Sequence, residues 1–141
     1  MKKLILVLLT LMMAGTFGAA WATSADGYKY ITADELNTRL GAGSPMILID
    51  ICPVDQFAKG HIKGAVETNA YPVKTEEEKA RLAERLPMLK ASADEIIILC
   101  PRGGGGAKNT YDFYKANGID DNRLLILEKG MDKWPFATEA K

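Results

Sequence analysis

Three short apolar runs constrain this chain more than any other feature. They are Met46-Ile47-Leu48-Ile49-Asp50-Ile51, Glu95-Ile96-Ile97-Ile98-Leu99-Cys100 and Arg123-Leu124-Leu125-Ile126-Leu127. Their length, their branched aliphatic content and flanking turn residues such as Gly43-Ser44-Pro45 favour strands over helices. Consecutive rather than alternating apolar residues imply a sheet covered on both faces. Helical patterns fall between the runs. Thr32-Ala33-Asp34-Glu35 is a capping box leading to Leu36 and Leu40, with Gly41 as the stop. Asp55–Ala58 reads as a short helical turn ended by Gly60, and His61–Val66 as irregular or briefly extended. Thr75-Glu76-Glu77-Glu78 opens a helix that runs toward Leu89 and ends or kinks near Pro87. Its acids lead and its bases follow, which suits the helix dipole and pairs Glu77 with Arg81. A loop over 101–106 and a helix over 107–117, stopped by Gly118, separate the last two strands. Strands alternating with helices predict an α/β fold: an open parallel sheet with helices on both faces. Residues 23–30 read as a polar lead-in without a pattern.

The first residues belong to a different plan. Met1-Lys2-Lys3 is a basic start, Leu4–Ala14 is almost wholly apolar, and Ala20-Trp21-Ala22 is a small-residue cleavage site. This is the three-part pattern of a secretory signal peptide. The run is shorter than the roughly 18 residues of a spanning helix, and no Cys follows the site to carry a lipid. The expected organisation is a signal peptide over 1–22 and a single domain over 23–141. Removing 22 residues, with two lysines and no acids, from 141 leaves 119 residues and a formal charge of −2. The mature protein is expected to be exported, periplasmic in a Gram-negative bacterium and otherwise secreted, with no membrane attachment. A weakly acidic domain without a basic excess argues against a nucleic-acid partner. Two cysteines and one histidine cannot form a four-ligand Cys/His zinc site. Neither a metal nor an organic cofactor is expected.

In open α/β sheets, sites form beyond the carboxyl ends of the strands. Cys100 ends one strand and is followed by Pro101, Arg102 and the glycines Gly103, Gly104, Gly105 and Gly106. Small residues let successive N–H groups turn inward as an anion-binding nest. The following helix adds its positive end, and Arg102 adds a full charge. These effects predict a lowered thiol pKa at Cys100, and the same cradle would hold a persulfide or an oxyanion. A plain buried cysteine beside an unliganded loop is the structural alternative.

Three stretches give the chain a resemblance to the single-domain rhodaneses, a sulfurtransferase family. Ile47-Leu48-Ile49-Asp50 through Gln56-Phe57-Ala58-Lys59-Gly60-His61-Ile62-Lys63-Gly64-Ala65 resembles the family's LIDVR…EFxxGHIPGA segment. Ile97-Ile98-Leu99-Cys100 with its glycine loop resembles the catalytic segment. Leu127-Glu128-Lys129-Gly130-Met131-Asp132-Lys133-Trp134 resembles LxGGMxxW. The resemblance spans Tyr30 to Phe136 and implies that Cys100 carries a sulfane sulfur as a persulfide. It also implies that His61 is structural, although a general-base role is the alternative. Met131 and Trp134 read as packing residues, Asp50 as a residue that orders the loop, and Tyr71 and Phe136 as candidates to line the pocket.

The departures from the family matter. Its Arg after the strand and its acid before the aromatic are replaced by Cys52 and Gln56, so an ion pair is lost from both sides together. Lys63 replaces a proline, and Pro101 removes one N–H donor from the loop. Counting back from Gly118 suggests a loop one residue longer than usual. Related cysteine phosphatases and arsenate reductases require Arg at the position of Gly106, so their oxyanion clamp is missing. Cys52 has three readings: a bystander, a resolving thiol that releases the sulfur, or half of a permanent Cys52–Cys100 bridge. Adjacent strands lie about 4.8 Å apart, which makes such a bond feasible.

The expected activity is transfer of a sulfane sulfur from thiosulfate, polysulfide or a persulfide to a thiol, cyanide or protein acceptor. Two other classes stay open: a thiol–disulfide redox protein using Cys52 and Cys100, and a non-catalytic binding module on the same fold.

Overall fold

The three apolar runs form the centre of one sheet. The computed structural model describes residues 23–141, so the expected signal peptide, 1–22, lies outside the described residues. The strands are β1 (Tyr30–Ile31), β2 (Met46–Asp50), β3 (Val66–Glu67), β4 (Glu95–Leu99) and β5 (Leu124–Leu127). They lie in the order β1-β5-β4-β2-β3, and every neighbouring pair is parallel. The open parallel sheet is therefore as expected. Both edges are two-residue strands, which leaves little unpaired backbone for another chain to add to.

The helices are α1 (Ala33–Gly41), α2 (Val54–Lys59), α3 (Glu76–Ala83), α4 (Leu86–Lys90) and α5 (Gly105–Ala116). On one face, Ile49, Ile51, Ile96 and Ile98 pack with Leu82 of α3, Leu89 of α4 and Tyr111 and Tyr114 of α5. On the other, Leu48, Ile97, Leu99 and Leu125 pack with Leu36 of α1, Ile62 and Met131. Both faces are thus covered, which explains strands that are apolar at consecutive positions.

Both hydroxyl caps form as read. Thr32 accepts the Glu35 N–H, and Thr75 and Glu78 exchange bonds as a reciprocal capping box. Glu77 and Arg81 pair at 2.9 Å. Two segments differ from expectation. The helix from Thr75 is two helices, broken at Glu84-Arg85, because Pro87 cannot donate an N–H and is accommodated only in the first turn of a new helix. The polar lead-in contributes β1, whose Lys29 and Ile31 carbonyls accept the Ile126 and Glu128 N–H groups at 2.9 Å. A strand held by backbone bonds with one core residue, Ile31, leaves no apolar pattern. Among the described residues no helix is long and apolar enough to cross a membrane.

Candidate active site

Parallel pairing brings β2 and β4 side by side, so their carboxyl ends open at one edge of the molecule. Cys100 lies immediately after β4, and α5 begins at Gly105. The helix therefore starts two residues earlier than expected and includes Gly105 and Gly106. The loop proper is Pro101–Gly104.

Backbone N–H groups converge on the Cys100 sulfur. The Gly103 N–H donates to Sγ at 2.9 Å, and those of Arg102, Gly104 and Ala107 act on the same atom. The Ala107 N–H is free to do so because it lies in the first turn of α5 and has no intrahelical partner. This is an anion nest closed by a helix N-terminus.

The glycines divide by role. Gly103 has φ +70°, and a Cβ there would stand 2.8 Å from the Leu127 carbonyl oxygen. Gly106 is covered by Tyr71, whose Cδ2 would be 2.8 Å from a Cβ, with Ile51 behind it. Gly104 and Gly105 meet nothing within 4 Å, so the rim of the cradle is bare backbone. Gly130 supports the loop from beneath. The Met131 N–H donates to the Cys100 carbonyl at 2.7 Å, and the Asp132 N–H to that of Pro101 at 2.9 Å.

The thiol pKa moves opposite to expectation. Burial, with Cys100 only 1% exposed, pushes the thiol above its ordinary value, and the N–H donors pull it back only in part. Arg102 contributes its backbone N–H, while its side chain is exposed and lines a cleft of about 660 Å³ with Lys129, Asp132 and Lys133. The cradle is complete, but the sulfur is desolvated.

Cys52 is equally buried, also at 1% exposure. Both cysteines are free. The pairing ends at Asp50 opposite Leu99, so one further step sets Ile51, not Cys52, opposite Cys100. Cys100 packs with the core of one sheet face and Cys52 with that of the other. Burial, then the Asp50 carboxylate, drives the Cys52 thiol upward in pKa. A resolving role and a permanent bridge both require the two sulfurs to meet; here both thiols are free, and the Cys100 thiol is among the groups that raise the Cys52 pKa.

Asp50 accepts the Cys52 N–H at 2.8 Å, and its carbonyl accepts the Thr68 N–H and Oγ1–H, each at 3.0 Å. The loop it orders is the turn leading to α2, not the glycine loop. Burial raises its pKa. His61 is held away from any chemistry: its ring stacks on Phe57 at 3.9 Å, Nδ1 donates to the Phe57 carbonyl at 2.9 Å, and Nε2 faces Glu139 at 3.6 Å. Gln56 donates to the Asp132 carboxylate at 2.9 Å, tying α2 to the turn after β5. Tyr71 touches the loop through Gly106, whereas Phe136 packs edge-on against Trp134 at 5.2 Å. Lys129 and Lys133 were not among the candidates from sequence. The available signal was a lysine standing where the LxGGMxxW pattern has its first glycine. Among the described residues no three His, Cys, Asp or Glu side chains group as metal ligands.

The Rhodanese-like domain family model matches residues 32–136. A rhodanese-like domain protein from Staphylococcus aureus is 26% identical with a TM-score of 0.62, over 80% of this chain and 98% of that one. A rhodanese-related protein from Thermoplasma volcanium is 16% identical with a TM-score of 0.60, over 81% of this chain and 100% of that one. A thiosulfate sulfurtransferase from Pseudomonas aeruginosa is 20% identical with a TM-score of 0.62, over 80% of this chain but only 20% of that one. No curated protein sequence matches the chain significantly.

Proposed function

The chain belongs to the rhodanese-like domain family, and on that premise we propose that it is an exported sulfurtransferase working through a Cys100 persulfide. Residues 1–22 are the signal peptide and 23–141 the mature single domain. The observation that carries the activity is the buried Cys100 sulfur accepting the Gly103 N–H at 2.9 Å, with the backbone N–H groups of Arg102, Gly104 and Ala107 also favouring its anion. A donor such as thiosulfate meets the Cys100 thiolate, which attacks the sulfane sulfur. The donor S–S bond breaks, sulfite leaves with the electron pair, and Cys100 carries the new S–S bond. The terminal sulfur is anionic and stays within reach of the N–H cradle, as oxyanion-type stabilisation requires. Cyanide or a thiol then takes that sulfur and returns the Cys100 thiolate. Arg102 steers anionic donors. Gly104 and Gly105 give the bare rim over which they approach. The scheme needs no metal or organic cofactor. Oxyanion hydrolysis is disfavoured because the Gly106 Cβ direction is filled by Tyr71, leaving no room for the cation that phosphatase relatives place there.

The test is mass spectrometry of the reduced mature protein after incubation with thiosulfate or polysulfide. One added sulfur, removed by cyanide, is expected. No gain from any sulfane donor would overturn the proposal.

Two further results follow from the site. The attacking species is the thiolate, and burial raises the thiol pKa. Single-turnover loading should therefore climb about tenfold per pH unit between about pH 6 and 8, because the thiolate fraction is far from saturation there. A flat profile across that window would mean an ionised resting thiol. Cys52→Ser should load sulfur within about twofold of wild type, since a second thiol takes no part in the first attack on the donor. Turnover with dithiols that vanishes in this variant would instead favour the dithiol redox reading.

A further inference from the structure

The first turn of α5 holds N–H groups toward the Cys100 sulfur without the usual means of holding itself. Gly104, Gly105 and Gly106 follow one another there, and Gly104 at the cap makes no side-chain hydrogen bond. Glycine has the most backbone freedom to lose, and a capping side chain is what normally fixes such a turn. Its N–H groups nevertheless need a fixed direction, because those of Gly104 and Ala107 act on the sulfur. The order has to come from a neighbour. Nothing lies within 4 Å of a Cβ placed on Gly104 or Gly105. At Gly106 the nearest atoms are Cδ2 and Cε2 of Tyr71, at 2.8 and 3.0 Å. The Thr110 hydroxyl also donates to the Gly106 carbonyl at 2.8 Å. The Gly106–Ala107 peptide, which carries the Ala107 N–H, is therefore held by a ring and a hydroxyl.

The segment that delivers the ring is strained. Tyr71 lies between Asn69, with φ +55°, and Val73, with φ +61°. Left-handed backbone is uncommon for any residue with a Cβ, and for a β-branched one it is a genuine outlier. Val73 is buried, so packing enforces its conformation. The Tyr71 N–H donates to the Ile51 carbonyl at 2.9 Å, and the Arg81 guanidinium to the Asn69 carbonyl at 2.7 Å. Strain that the surroundings over-determine in this way clusters at functional sites. Among the described residues the Tyr71 hydroxyl has no hydrogen-bond partner, so its ring makes the contact.

We propose that Tyr71 is a positioning residue for sulfur transfer: its ring braces the glycine-rich first turn of α5 so that the Gly104 and Ala107 N–H groups stay directed at the Cys100 sulfur. This rests on the sulfurtransferase reading and adds to it a residue outside the glycine loop. Tyr71 acts through the turn and not on the reacting atoms.

The experiment measures single-turnover loading of Cys100 across thiosulfate concentrations, with backbone hydrogen exchange of residues 104–107 on the same proteins. Tyr71→Ala should lower the maximal loading rate about tenfold, since oxyanion-type donors are weakened rather than removed. The half-saturating thiosulfate concentration should stay within about twofold, because the ring serves the transition state and not donor capture. Exchange of the first-turn amides should quicken at least about tenfold as that turn opens more readily. Tyr71→Phe keeps the ring and should retain at least about half of the wild-type loading rate. Gly106→Ala supplies the sharpest arm. With Tyr71 present its Cβ strikes the ring, and loading should fall about tenfold. In the Tyr71→Ala background that space is open and alanine stiffens the turn, so the same substitution should raise loading about two- to fivefold. Where Tyr71→Ala does not fold, Tyr71→Leu replaces it in the loading and exchange arms. A Gly106→Ala effect of the same sign in both backgrounds would overturn the inference. So would wild-type loading or wild-type exchange without the ring, or a Tyr71→Phe protein as impaired as Tyr71→Ala. A wild type that takes no sulfur from any sulfane donor would overturn the sulfurtransferase reading, and first-turn exchange would then decide the brace by itself.

Discussion

Cys100→Ser should lower sulfur transfer by at least about a thousandfold, because the covalent carrier is removed rather than weakened. A serine hydroxyl is un-ionised near neutral pH, and its oxygen cannot form the S–S bond that stores the sulfur between half-reactions. The fold should survive. The hydroxyl fits the space of a thiol, and its oxygen can accept the Gly103 N–H that now reaches Sγ at 2.9 Å. The expected stability change is within about 1 kcal/mol, the net worth of an ordinary hydrogen bond. Thiocyanate formation, the mass of the donor-treated protein and thermal melting check all three statements together. A serine variant that still gains sulfur would place the carrier elsewhere, and Cys52 would be the only candidate thiol left.

Gly130→Ala should damage the site through its scaffold. Gly130 has φ +67°, and a Cβ there would stand 2.5 Å from the Arg102 nitrogen and the Pro101 carbonyl carbon and against the Cys100 carbonyl oxygen. The left-handed backbone costs about 1–2 kcal/mol, and forcing an atom into packed backbone about 1–3 more. The combined loss of about 2–5 kcal/mol is a large share of a small domain's stability. All three struck groups belong to the catalytic loop, so loading should fall even in molecules that remain folded. Gly41→Ala is the matched control: it ends α1, outside the site, nothing lies within 4 Å of its added carbon, and alanine favours a helix. Denaturation midpoints and loading rates of the two variants should separate widely. A Gly130→Ala protein as stable and as active as wild type would remove the turn after β5 from any supporting role.

The central strands were legible because burial on both faces forces consecutive aliphatic residues, and the glycines after Cys100 marked where backbone N–H groups turn toward its sulfur. The lead-in strand was not, since Tyr30–Ile31 is held by main-chain bonds that leave no trace in side-chain type. The break between α3 and α4 was half legible: Pro87 marked it, but only the backbone shows that the proline opens the second helix. The direction of the Cys100 pKa could not be read from residue types. Donors are visible in sequence as glycines and a helix start, while desolvation depends on how tightly the loop closes. The lysines of the cleft were overlooked because they follow another strand, and their approach to Arg102 is created by tertiary packing alone.

The burial of both cysteines also governs how this protein would respond to oxidation. In many dithiol proteins a neighbouring cysteine traps an oxidised thiol as a disulfide that a reductant later restores. Here Cys100 and Cys52 each expose only 1% of their surface and pack in separate core clusters. An oxidant in solution therefore meets neither sulfur until the surrounding loop opens, so the same closure that desolvates Cys100 also shields it from over-oxidation.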